Sequence, residues 1–253
     1  MHRIAALVAM AALVACESGA RTTRPLGAVE RTPLQAALLD EVANQNATVF
    51  PKLAHMYGAD MSTWADREAQ WIYGHPLPHN PLLDQTGADC AENQDGPVWF
   101  LPRIAGPRVF SGSRDCTIPF GKAIFLEIGA YVDPYPCPDP TFQPAPGQSL
   151  YDFLISDAKA FMDGVNHLEA SLDGQPLDDV LSYRYHSTDL FTLRADPSFV
   201  ALDPCATGSP QPAIVDGFFM MFKPLARGSH TIRVFGTDVR GANKTYLYRL
   251  SIV

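Results

Sequence analysis

From Val165 to the C-terminus the chain runs in short segments that alternate apolar and polar residues, broken by turn residues. This pattern constrains the fold more than any other feature. In "NHLEASLDG", Leu168, Ala170 and Leu172 fall on one side of an extended chain, with His167, Glu169 and Ser171 on the other. Asp173-Gly174 is a hairpin-turn signal. Further strand-length runs lie at 181–185, 190–194, 217–223, 230–237 and 244–252, with turns marked by Gly228-Ser229 and Gly241-Ala242-Asn243. Strands this short, at this spacing, predict a sandwich or an open barrel.

Helical periodicity appears upstream. Residues 32–45 read as a helix, with Thr32 as N-cap and Pro33 at the first turn. "STWADREAQWIYG" reads as a second, with Thr63 and Asp66 as the capping pair and Gly74 as its stop. "SLYDFLISDAKAFMDG" reads as a third, capped by Ser149, closed by Gly164, and burying Leu150, Phe153, Leu154, Ala158 and Phe161. The expected fold class is α+β: an antiparallel β-sandwich core, Ig-like or jelly-roll-like, with about three helices, two of them N-terminal. At 253 residues, 47% hydrophobic, the chain suits one large domain. Residues 31–253 are assigned to it, with a candidate seam at 133–149, where six prolines interrupt the pattern.

The N-terminus reads as an export signal: Arg3, then an apolar run from Ile4 to Ala15 too short to span a bilayer. Its end, "LVAC", resembles the lipobox of bacterial lipoproteins, which implies cleavage before Cys16 and acylation of that residue. Residues 16–30 then form a flexible tether. Glu17 rather than aspartate after the cysteine implies, by the same resemblance, the outer membrane or cell surface. The formal net charge is −8, and losing residues 1–15 removes one arginine and no acid. So acidic a chain is not expected to bind nucleic acid. Four cysteines remain: Cys90, Cys116, Cys137 and Cys205. They allow three pairings, of which Cys90–Cys116 with Cys137–Cys205 is favoured because short loops close most easily. With no CxxC pair, no metal site is expected.

Three stretches, "NPLLDQTGADC", "GPVWFL" and "CTIPFGKAIFLEI", resemble an uncharacterised family of bacterial secreted proteins. That resemblance supports the Cys90–Cys116 pairing and implies no particular activity. "PLARGSHTIRVFGTD" resembles the closing strands of Ig-like and fibronectin-like modules, which informs fold alone.

No Gly-x-Ser-x-Gly elbow, Walker loop, His-Glu-x-x-His or dinucleotide fingerprint occurs, and no cofactor is expected. The candidate catalytic groups are carboxylates. Glu127 interrupts an apolar strand on the same face as Phe125, where it is either a buried acid with a raised pKa, a solvent-facing residue or the partner of an Arg or Lys. Asp95 and Asp133 are the acids that could join it. Trp64, Trp71 and Tyr73 could form an aromatic platform for a sugar ring, or simply pack a helix on the core. The leading expectation is a lipid-anchored envelope module that binds a glycan or a protein. The alternative is a carboxylate-dependent glycan hydrolase.

Overall fold

A computed structural model describes residues 47–253. The expected leader, Cys16, the tether and the helix over 32–45 lie outside the described residues. Two mixed sheets pack face to face. The first orders β1 (Val98–Leu101), β3 (Ala123–Pro134), β8 (Gln211–Phe222) and β6 (Arg184–His186), with β7 (Phe191–Leu193) also paired to β8. The second orders β2 (Val109–Ile118), β10 (Asn243–Ile252), β9 (Gly228–Asp238), β4 (Val165–Leu172) and β5 (Gln175–Pro176). The α+β sandwich is as expected, but its sheets are not purely antiparallel. β1 pairs β3 in parallel, and β2 pairs β10 in parallel. The cause is topological. After β1 the chain crosses to the second sheet as β2 and then returns, so β3 arrives beside β1 running the same way.

Burial explains the composition of each strand. β8 reads "QPAIVDGFFMMF", apolar at nearly every place, because both its faces are covered. Phe218, Met220 and Phe222 enter the core between the sheets with Leu126, Ile232 and Tyr248. Val215, Phe219 and Met221 enter a second core with Trp64 and Ala65 of α1 (Met61–Tyr73). Ile214 meets Leu154 and Ala158 of α2 (Leu150–Met162). β4 keeps the expected alternation: Ala170 and Leu172 are buried while His167 and Glu169 are exposed. Asp173 and Gly174 both take positive φ, 52° and 79°, and turn β4 into β5.

The helix ends differ in part from expectation. Asp60, not Thr63, caps α1 by accepting from the Thr63 N–H at 2.8 Å. Asp66 instead accepts from the Ser187 hydroxyl at 2.6 Å. Ser149 caps α2 as expected, accepting from the Asp152 N–H at 3.0 Å. Phe161 is exposed rather than buried and stacks on Tyr131. In the proline-rich 133–149 segment Asp133 and Pro134 end β3 and the remainder is a loop leading to α2; β3 and α2 both pack on β8.

Both disulfides form, Cys90–Cys116 and Cys137–Cys205. They point to an oxidising, extracytoplasmic compartment. The "NPLLDQTGADC" stretch spends its polar groups on its own shape. Asn80 donates to the Ile72 and His75 carbonyls, and Asp84 accepts from the N–H groups of Thr86, Gly87 and Asp89. Gly87, at φ +100°, lies against the Asp115 carbonyl so closely that a Cβ would sit 1.7 Å from its oxygen. Arg114 of β2, 1% exposed, locks this loop by donating to the carbonyls of Pro81, Asp84 and Pro102. Arg114→Met would leave the buried Pro81 and Asp84 carbonyls without a donor, at roughly 1 kcal/mol each, while the Pro102 carbonyl keeps the Tyr248 hydroxyl. Urea unfolding should therefore show about 2 kcal/mol less stability. A loss near zero would mean that the guanidinium does not hold the loop.

Candidate functional site

β1 and β3 pair only from Val98↔Ala123 to Leu101↔Leu126. β1 then ends, and the chain turns away through Pro102 and Arg103. Beyond Leu126, β3 has no strand partner on that side among the described residues. A cleft of about 300 Å³ opens there, walled by α1, β3 and the 199–205 segment. Clefts where neighbouring strands part are common ligand sites.

Four carboxyl groups line it: Glu68, Glu127, Asp133 and Asp203. Glu127 follows Phe125 on the face of β3 that meets α1, and it is wholly buried. Arg103 makes an ion pair with it. A β-bulge follows between Glu127 and Gly129, which re-aims the rest of the strand. Of the three readings open from sequence, the one with an arginine partner is realised.

Glu68 projects from α1 amid Trp64, Ala65, Ala69 and Ile72, and is 1% exposed. Its Oε1 has no hydrogen-bond partner. Burial, reinforced by the charge of Glu127, pushes its carboxyl well above the usual carboxylate range, against a weaker pull from Arg103. Asp133 is 3% exposed, and its Oδ2 also lacks a partner. Burial first, then the negative charges of Asp157 and Asp203, raise it to about 8. Asp203 accepts from the Tyr73 hydroxyl at 2.9 Å and from the Cys205 N–H at 2.9 Å. The Cys137–Cys205 disulfide joins its segment to the chain just beyond β3. The cleft therefore holds two acids that burial keeps protonated near neutral pH, beside a carboxylate paired with arginine. Neutral acids can donate protons to a bound molecule, and a neighbouring carboxylate can stabilise positive charge or take a proton from water.

The structure gathers some of the predicted residues and separates others. Glu127 and Asp133 share the cleft. Asp95 does not: it is exposed on the loop before β1 and lies outside the cleft lining. Gln94 fixes that loop by bonding the Phe100 main chain, which leaves Asp95 at its outer side. Trp64, Trp71 and Tyr73 make no exposed row. Trp64 is buried with its indole N–H on the Met56 carbonyl, and Trp71, half-buried, donates to the Glu92 carbonyl. The physical reason is the sheet beneath α1: Phe100 packs against both tryptophans, so their rings face inward. Tyr73 reaches the cleft as a hydroxyl donor. Among the described residues no group of three or more His, Cys, Asp or Glu side chains could hold a metal ion.

Sequence reasoning missed Glu68, Arg103 and Asp203. For Glu68 a signal existed. Positions 64, 65, 68, 69 and 72 form one helical stripe, and Glu68 stands at its centre. Arg103 and Asp203 sit on irregular segments with no periodicity to place them.

No protein-family model matches the chain, and no curated protein matches it. Among solved structures, the solution structure of Amebosin aligns with 58% of this chain and 100% of its own, at 10% identity and a TM-score of 0.20. So slight a likeness carries no argument about fold or activity.

Proposed function

We propose that the protein is a carboxylate-dependent hydrolase acting on a glycan of the bacterial cell envelope, held at the outer membrane or cell surface by a lipid on Cys16. The observation that carries this reading is Glu68: a buried acid with an unpartnered oxygen, in one cleft with the Glu127–Arg103 pair. A buried acid held in its protonated form next to a carboxyl group ion-paired to arginine is the usual arrangement of a general acid and its partner. Glu68 donates a proton to the glycosidic oxygen as the C–O bond breaks. Glu127 faces the positive charge that develops on the sugar and assists the water, whose hydroxyl goes to the anomeric carbon and whose proton re-protonates the acid. The disulfides support the extracytoplasmic setting. Inward-facing tryptophans remove the main support for a surface glycan-binding module.

The test is release of new reducing ends from envelope polysaccharides by the purified protein. Glu68→Gln and Glu127→Gln should each lower the rate by at least about 100-fold, with the circular dichroism spectrum retained. Binding of polymer without turnover in the wild type would replace this reading with that of a binding module. Full activity in Glu127→Gln would remove the assigned roles. Palmitate labelling should disappear in Cys16→Ser.

A further inference from the structure

A second cavity, also of about 300 Å³, lies at the open end of the sandwich. Its walls are Ile128 and Gly129 of β3, Phe218 of β8, and Val234 and Tyr246 of the opposite sheet. It adjoins the carboxylate cleft, since Arg103, Ala130 and Tyr131 line both. Its charge is the reverse of the cleft's. Arg103, Arg240 and Lys244 line it, against one acid, Asp238. Two of these cations have counter-charges, Arg103 in Glu127 and Arg240 in Asp238. Lys244 differs. Its ammonium donates to the main-chain carbonyls of Gly106 and Pro107 and forms no ion pair with a carboxylate among the described residues. Burial, then the Arg103 and Arg108 guanidiniums, hold it below the usual lysine range, and Asp238 does not offset them. A cation crowded by like charge in the lining of a largely apolar cavity is relieved by an anion whose remainder is apolar.

We propose that this cavity binds a short acyl carboxylate, with its head on Lys244 and Arg240 and its chain between the sheets. The size is suitable: at ~30 Å³ per atom, as in liquid water, the space holds about ten non-hydrogen atoms. Octanoate has that number. Each added methylene favours entry until the cavity is full. The Arg240 guanidinium, stacked 3.8 Å from the Phe161 ring centroid, is already held in place for the head group. Nothing here depends on the hydrolase reading, because Glu68 and Glu127 lie outside this cavity.

Equilibrium dialysis or calorimetry with octanoate, 1-octanol and octylammonium tests it. Octanoate should bind at least about tenfold more tightly than 1-octanol, with octylammonium weakest. Lys244→Met should weaken octanoate about tenfold and leave 1-octanol unchanged. Gly129 lines the cavity, and a Cβ built on it meets nothing within 4 Å, so Gly129→Leu should fill the space and abolish binding of both. Melting curves identify any variant that fails to fold, and the two variants report independently. The proposal is overturned if octanoate does not bind at millimolar concentration, if 1-octanol matches it, or if a folded Gly129→Leu still binds octanoate fully.

Discussion

Raising the pH from 5 to 8 should lower the stability of the folded domain by something on the order of 4 kcal/mol or more, through Asp133 together with Glu68 and Asp66. Its carboxyl is raised from 3.8 to about 8 by burial and by the charges of Asp157 and Asp203. In the unfolded chain the group loses its proton near pH 4, while in the folded chain it keeps that proton to about pH 8. Between those values the folded state binds more protons, so stability falls as pH rises, by about 1.4 kcal/mol per pH unit at most from this one group. Asp66, raised to about 6 by burial, and Glu68, raised by burial and by the charge of Glu127, add to the fall with the same sign. Asp84 and Asp238, whose carboxyls are held low by backbone N–H groups, act only below the usual carboxylate range and do not oppose it in this window. Urea unfolding at half-unit pH steps measures the slope. Asp133→Asn keeps the shape without the charge and should remove that group's share of the slope, making the variant more stable than the wild type at pH 8. A wild-type stability that is constant or rising between pH 5 and 8 would show that neither Asp133 nor Glu68 holds its proton, and the acid–base reading of the cleft would fail; a slope unchanged in Asp133→Asn would remove Asp133 alone.

The second large effect concerns the Cys137–Cys205 bridge. It closes a loop with a sequence separation of 68. Restricting the unfolded chain by a loop that long stabilises the fold by about 4 kcal/mol in the chain-entropy model. The double variant Cys137→Ser, Cys205→Ser should lose about that much in urea unfolding. It should also lose function beyond what stability explains. Asp203 lies two residues from Cys205 and faces Asp133, so freeing the segment lets Asp203 move away. The Asp133 carboxyl then loses one of the charges that raise it, and the pH slope should shrink even at temperatures where the variant is fully folded. If stability falls while the slope is unchanged, the disulfide serves the fold alone. The Cys90–Cys116 bridge, with a separation of 26, should contribute about 3.5 kcal/mol and leave the slope alone, since neither cysteine lines the cleft.

Much of the architecture was legible because it is written in local periods. β4 and its Asp173-Gly174 turn, the β9 and β10 strands, the Ser149-capped helix and the Trp64 helix each carry a pattern that repeats within a few residues. The disulfide pairing followed from loop lengths. Glu127 stood out because a carboxylate interrupts an apolar strand. What failed to show were features with no local period. The parallel pairing of β1 with β3 depends on β2 crossing to the other sheet, which no stretch of β1 or β3 records. The inward rotation of Trp64 and Trp71 depends on Phe100, about 30 positions later in the chain.

By itself, the sequence determined the α+β sandwich, favoured the two staples and marked Glu127 without deciding its burial, since hydrophobic period, turn chemistry and cysteine spacing are properties of neighbouring residues. The tertiary structure alone decided that Asp95 stays outside the cleft while Glu68, Arg103 and Asp203 come in. Those three reach Glu127 and Asp133 from a helix, a strand exit and a disulfide-tied loop, and they meet only because β1 stops at Leu101 and leaves the edge of β3 open. A carboxyl's proton affinity follows from what surrounds it in space, and that surrounding is assembled from parts of the chain more than 100 residues apart.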